Sequence, residues 1–267
     1  MTALQHTFEA AGLTAGYDDR VVIEGLDFAV PPGKVTVIVG PNACGKSTLL
    51  RTMAGLHRPM DGEIRLDGTP VGALGRRRVA RVVGVLPQSS TAPDGVRVAE
   101  LVARGRYPHQ GWFGLAGSDD DAVVARALAD TGIADLADRR VEELSGGQRQ
   151  RVWIAMVLAQ ATDIVLLDEP TTYLDVTHQL ELLDLLADLN CERGTTVVMV
   201  LHELNLAARY ADHLVMMRDG AIVAQGEPAL IVDTASIRHV FGLDCRVVDD
   251  PVSGTPLVVP IGRRHAA

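Results

Sequence analysis

The segment Gly40-Pro41-Asn42-Ala43-Cys44-Gly45-Lys46-Ser47 constrains this chain more than any other feature. It fits the spacing GxxxxGK[ST] and lies between the apolar run Lys34 to Val39 and a helical pattern that begins near Lys46. A loop so placed, between a buried strand and a helix start, turns several backbone N–H groups toward one point. The result is a concave, positive site suited to phosphate oxygens. In such a site Lys46 reaches β- and γ-phosphate oxygens and the Ser47 hydroxyl coordinates Mg²⁺. Average residue frequencies give the bare pattern by chance in roughly one chain of this length in a hundred. The flanking strand and helix lower that chance further.

The rest of the chain repeats the plan that the loop implies. Lys34 to Val39, Asp163 to Leu167 and Thr195 to Leu201 are β-branched, apolar and short, as buried parallel strands are, and each is followed by a loop and a helical pattern. In the first 30 or so residues, Tyr17, Val21 to Ile23 and Leu26 to Val30 predict additional antiparallel strands. Between Gln88 and Asp163 the period becomes helical, strongest over Val98 to Gly105, Asp119 to Thr131 and Gln148 to Ala159. Tyr107 to Gly117 reads as a loop, whose Trp112 and Phe113 either pack internally or meet a partner. After His202 come a helix, a strand near Leu214 to Met217, a turn at Asp219-Gly220 and a tail too short for a substantial regulatory domain. The expected class is therefore α/β, a P-loop NTPase core with N-terminal antiparallel β strands and an inserted helical subdomain. Residues 1–267 form one domain, with the helical subdomain at approximately 97–160.

Two further segments bear chemistry. The strand Ile164 to Leu167 ends in Asp168-Glu169, which sets two carboxylates at the carboxyl edge of a parallel sheet, where open α/β sheets bind ligands. Asp168 suits Mg²⁺, directly or through water, and Glu169 suits orienting or deprotonating an attacking water. An apolar strand ending in Asp-Glu is weak alone, because it could simply cap the next helix; the phosphate loop gives it weight. Leu144-Ser145-Gly146-Gly147-Gln148 then opens a helix, so Ser145 is an N-cap and the glycine amides form a second anion-binding helix start. One nucleotide needs one phosphate loop. A second such device makes sense if it closes over the γ-phosphate held by another copy of the chain.

Composition excludes several alternatives. With 34 acidic and 25 basic residues the net charge is −9, which disfavours nucleic acid as a partner. The run Arg76, Arg77, Arg78 and Arg81 reads as a solvated helix face. The longest apolar runs have strand length, far short of the ~20 residues that span a bilayer, and the first residues lack a secretory pattern. A cytosolic chain is expected. Cys44, Cys191 and Cys245 are widely spaced and suggest neither disulfides nor a structural metal. There is no internal repeat, so a second site-bearing copy must come from another chain.

These residues resemble the Walker A, Walker B and signature motifs of ABC-transporter ATPase subunits, over nearly the whole chain. The resemblance implies ATP and Mg²⁺ as ligands and assigns further roles. Gly40 to Thr48 cradle the phosphates. Tyr17 matches the aromatic residue that stacks on adenine, against the reading of a core aromatic on a strand. Gln88 matches the Q-loop, which contacts Mg²⁺ and water and links the site to the membrane partner. Asp175 matches the D-loop at a dimer interface, against a simple helix cap, and His202 matches the switch histidine that senses the γ-phosphate. The implied partners are a second copy in a head-to-tail dimer, polytopic membrane permease subunits and, indirectly, a substrate-binding protein. The implied place is the cytoplasmic face of the membrane, as a peripheral subunit.

Glu169 to Asp175 with His178-Gln179, Leu201 to Asp212, Arg104 to Pro108 and the tail Val240 to Pro260 are similar to importer ATPases for iron(III)-siderophores, with haem and cobalamin importers as near relatives. A non-transport ABC ATPase is the remaining alternative, without the tandem duplication, coiled coil or basic surface usual there. One departure stands out. The family's usual glycine at the fourth loop position is Ala43, so the backbone there is expected to avoid a glycine-only conformation. Cys44, beside a helix start, is expected either to have a lowered thiol pKa and to react with alkylating agents, or merely to be a small residue that fits.

Overall fold

The computed structural model describes residues 5–88, 91–110 and 118–262. Trp112 and Phe113 lie outside the described residues. In chain order come strands β1 (Phe8–Tyr17), β2 (Arg20–Val30) and β3 (Val35–Val39), helix α1 (Lys46–Met53), strands β4 (Asp61–Leu66) and β5 (Thr69–Pro70), helix α2 (Arg76–Val82) and strand β6 (Val83–Leu86). Helices α3 (Val98–Ala103), α4 (Ser118–Asp130) and α5 (Gly146–Ala159) follow, then β7 (Ile164–Asp168) and α6 (Val176–Arg193). The chain continues with β8 (Thr196–Val200), α7 (Leu204–Tyr210), β9 (His213–Arg218), β10 (Ala221–Gly226), α8 (Pro228–Ile231), α9 (Thr234–Phe241), β11 (Cys245–Asp249) and β12 (Pro256–Pro260). It divides into two compact units, residues 74–195 and residues 5–73 with 196 onward.

In the unit built from both ends of the chain, β3 has parallel neighbours on either side, with Val35 opposite Val197 of β8 and Thr36 opposite His213 of β9. Val35 to Val39 are all buried, as in a parallel strand covered on both faces, and the sequence shows a run instead of an alternation. Antiparallel β10 extends the row beyond β9. A second, antiparallel sheet runs β2-β1-β4-β5. Here the structure goes beyond the sequence reading: Val21 to Ile23 and Leu26 to Val30 belong to one continuous strand, and Phe8 to Tyr17 pairs with it. Register shifts at Ala10/Leu13, Leu13/Ala15 and Ala15/Gly16 break the period-2 pattern that would have delimited β1. The tail is also more regular than expected, ending in the hairpin β11–β12.

In the unit of residues 74–195, β6 and β7 form a parallel pair, with Leu86 opposite Leu167. Helices α3, α4 and α5 enclose an apolar core that includes Val98, Leu101, Leu128, Val152 and Ala155. The expected helices form, α5 starting at Gly146 and α3 ending at Ala103, where the chain tightens into a 3₁₀ turn over Arg104–Arg106. Arg106 explains part of the segment Arg104 to Pro108. Its guanidinium meets Asp120 at 2.7 Å and donates to the Ala159 carbonyl at 2.9 Å, joining α4 to the end of α5. Arg77 and Arg81 on α2 are exposed, yet both donate to the Pro108 carbonyl, at 2.9 and 2.8 Å. Among the described residues no helix is long and apolar enough to cross a membrane.

Candidate functional site

The residues singled out from the sequence fall into a group in each unit. In the first, the loop after β3 leads directly into α1, whose Leu49, Leu50 and Met53 are buried. Gly40 is required by close approach, since a Cβ there would lie 2.2 Å from the Met217 carbonyl oxygen and 2.7 Å from the Cys44 sulfur. Lys46, 5% exposed, donates through Nζ to the carbonyls of Gly40 and Pro41, both at 2.8 Å. Its ammonium is thereby held over the loop whose amides open the helix. Ser47 and Thr48 stand in the first turn of α1, the position from which a hydroxyl faces a phosphate-bound ion. Leu201, whose N–H donates to the Ile38 carbonyl at 3.2 Å, brings His202 to the carboxyl end of β8, beside the strand that carries the loop. His202 is exposed. Tyr17, at the end of β1, is 44% exposed and therefore not a core aromatic.

Two expectations about this loop fail. Ala43 has φ +62°, a left-handed conformation that a side chain disfavours; the loop imposes the glycine conformation on a residue that has a Cβ. The Cys44 thiol is not lowered. Burial pushes it above the ordinary value and outweighs the nearby Lys46 charge, whose Nζ lies 4.0 Å from the sulfur. The rapid alkylation expected of a thiolate does not follow from this setting, whereas a small residue filling a tight place does.

The second group begins at the parallel pair β6–β7. Asp168, the last residue of β7, is 1% exposed. Glu169 follows with φ +56°, a left-handed residue of the kind that concentrates at functional sites. One carboxylate oxygen of Glu169 accepts from the Gln88 amide at 3.0 Å and from the Thr172 hydroxyl at 3.5 Å. Gln88 and Glu169 are thus brought together by two adjacent strands leaving one sheet edge. Thr172 was not legible as a participant, although its spacing of three from Glu169 on a turn is the signal that marks it.

Ser145 caps α5 reciprocally: its hydroxyl accepts from the Gln148 N–H at 3.2 Å, and its N–H donates to the Gln148 side chain at 3.0 Å. A Cβ on Gly146 or Gly147 would meet only ordinary contacts, at 3.7 Å and 3.4 Å. Internal packing therefore does not require these glycines. What they leave open is a cavity of about 640 Å³ lined by Ser145, Gly146, Gly147, Gln148, Asp175 and His178 among others. Asp175 is indeed a helix cap, accepting from the His178 N–H at 3.0 Å, and its carboxylate also meets the His178 ring at 2.6 Å. Cap and cavity wall are one residue.

In one unit Ser47 offers a hydroxyl, and in the other Asp168 and Gln88 offer a carboxylate and an amide oxygen, each a hard donor of the kind Mg²⁺ takes. Among the described residues no group of three or more His, Cys, Asp or Glu could hold a metal.

The family model described as ABC transporter matches residues 23–172. The chain is 54% identical over 251 residues to the ferric enterobactin transport ATP-binding protein FepC of Escherichia coli strain K12, covering 94% of this chain and 93% of that protein. It is 49% identical over 260 residues to the petrobactin import ATP-binding protein FpuD of Bacillus anthracis, covering 97% of this chain and 95% of that one. Among solved structures it is similar to the dimeric structure of MJ0796, a bacterial ABC transporter cassette, with TM-score 0.74 and 25% identity over 82% of this chain and 98% of that one.

Proposed function

This chain belongs to the ABC transporter family, and from that membership we propose that it is the ATP-hydrolysing subunit of an importer that takes up an iron(III)-siderophore through a separate membrane permease. The cargo rests on the likeness to the ferric enterobactin and petrobactin proteins, which extends over almost the whole length. The chain's own part does not touch the cargo. It sits as a peripheral subunit on the cytoplasmic face, bound to permease subunits and through them to a substrate-binding protein. On this reading residues 1–267 are one ATPase domain, with the helical subdomain at about 97–160.

The observation that carries the mechanism is the cavity in front of α5, where two glycines serve nothing inside their own chain. Two copies meet head to tail, so that Ser145, Gly146 and Gly147 of one close over the γ-phosphate held by Lys46 of the other. Tyr17 stacks on the adenine and the Gly40 to Thr48 loop grips the phosphates. Ser47, Asp168 and Gln88 would hold Mg²⁺, which would supply positive charge against that of the transferred phosphoryl group. Glu169, steadied by Gln88 and Thr172, orients the attacking water and takes its proton. His202 hydrogen-bonds the γ-phosphate, and Asp175 lines the interface beside it. Closure of the dimer drives the permease, and hydrolysis reopens it.

Glu169→Gln tests the assignment. The variant should bind ATP as the parent does, lose turnover by about 10²-fold or more, and accumulate as a dimer in ATP by size-exclusion chromatography. Near-normal hydrolysis would remove Glu169 from the reaction. The cargo is tested with reconstituted permease and binding proteins loaded with ferric siderophore, haem or cobalamin. Stimulated ATPase with the siderophore is expected, and stimulation by haem or cobalamin alone would reassign it.

A further inference from the structure

Tyr17 stands at the tip of the β1–β2 hairpin, paired only with Arg20 across the turn. Its predecessor Gly16 has no side chain to anchor the tip, and a Cβ there would lie 2.0 Å from the Arg20 carbonyl oxygen. An aromatic ring 44% exposed at such a place is poorly held by its own strand. What holds it comes from 40 residues further on. The His57 ring lies against Tyr17, centroid to centroid 4.8 Å with the planes inclined by 38°. The His57 Nε2 is 2.6 Å from the Gly16 carbonyl, an acceptor, so that nitrogen carries the proton and donates.

His57 is itself fixed to the phosphate end of the site. Its N–H donates at 3.1 Å to the carbonyl of Arg51, in the last turn of α1, the helix that begins with Lys46. Three residues later the Met60 N–H donates to the Thr14 carbonyl of β1 at 2.8 Å. The segment therefore clips the aromatic tip to the helix that carries the phosphate loop.

We propose that His57 is a positioning residue of the nucleotide site, which sets Tyr17 at a fixed place relative to α1 so that an adenine base and its phosphates are met together. The proposal rests on the reading of Tyr17 as the base platform. A ring held in advance costs the ligand less ordering than a mobile one. The effect of the side chain belongs to the base alone, since the ring meets Gly16 and Tyr17, whereas the bond to Arg51 is made by the backbone N–H and survives substitution.

Binding of ATP and of inorganic triphosphate to the full chain by calorimetry, with steady-state ATPase kinetics, tests it. His57→Ala should weaken ATP by about 3- to 10-fold, the worth of a lost aromatic pair and its hydrogen bond. Triphosphate affinity should be unchanged, and kcat at saturating ATP should move by less than about two-fold. His57→Gln, which keeps a donor for Gly16, should recover part of the affinity. In a Tyr17→Ala background the further loss from His57→Ala should be below about two-fold, since the two act as one unit. If triphosphate weakens in parallel with ATP, His57 merely supports α1 and the proposal falls. If Tyr17→Ala weakens ATP while His57→Ala does not, the proposal falls and the platform reading stands. If Tyr17→Ala leaves ATP binding unchanged, the platform reading falls and takes the proposal with it.

Discussion

Ala43 holds a left-handed backbone at φ +62° in the middle of the phosphate loop, with its methyl group exposed. For an L-residue that conformation costs roughly 1–2 kcal/mol, and the exposed methyl returns no packing to offset it. Replacement by glycine removes the strain but adds about 0.4–1 kcal/mol of unfolded-chain entropy. The strain is the larger of the two, so Ala43→Gly should stabilise the protein by about 0.5–1 kcal/mol. A urea midpoint raised at unchanged m-value would show it, and a lowered midpoint would refute it. Residue identity at the loop was legible because the spacing itself is the signal. Conformation was not, because the path between β3 and α1 fixes φ at 43 whatever side chain stands there. The same limit applies to Cys44, whose thiol is raised by burial. Its neighbour Gly40 packs against the Met217 carbonyl, a partner far away in sequence. It applies also to His57, whose acceptor Gly16 lies 41 positions earlier.

At the scale of elements, the buried strands β3, β7 and β8 were readable because enclosure on both faces writes itself as an apolar run. The hairpin β11–β12 was not, because its strands are short, half exposed and stabilised by side chains of α7. Asn205 imitates a strand partner: its amide oxygen accepts from the Val258 N–H at 2.8 Å and its NH₂ donates to the Val258 carbonyl at 3.3 Å. One turn along the same helix, Arg209 pairs with Asp250, which also accepts from the Val252 N–H at 2.9 Å. The Arg209 guanidinium, helped by that N–H, holds the Asp250 carboxyl at about 2. A carboxyl depressed by folding adds stability that is complete above its unfolded value of about 4 and is lost as pH falls through about 2. Asp250→Asn should therefore melt below the parent at pH 7, with the gap in Tm narrowing from about pH 4 downward. A gap independent of pH would show that the ion pair is not what ties the hairpin to α7.

At the scale of the whole molecule, the sequence Leu144 to Gln148 and the phosphate loop each occur once in 267 residues. Their proposed roles would place them on opposite sides of one bound nucleotide. If the proposed head-to-tail arrangement holds, binding and hydrolysis have different molecularity. Tyr17, Lys46 and the loop need only one chain, so while the chain is mostly monomeric the fraction holding ATP should be nearly independent of protein concentration. Hydrolysis needs Ser145 and the glycine amides of a second chain, so well below the dimer dissociation constant the rate per chain should rise in proportion to protein concentration. ATPase assays of the isolated chain over a hundred-fold dilution series, with ATP binding measured in the same samples, separate the two. A rate per chain that stays constant at dilutions where sizing shows a monomer would mean that the site is complete in one chain. The two glycines that open α5 would then be left without a partner to explain them.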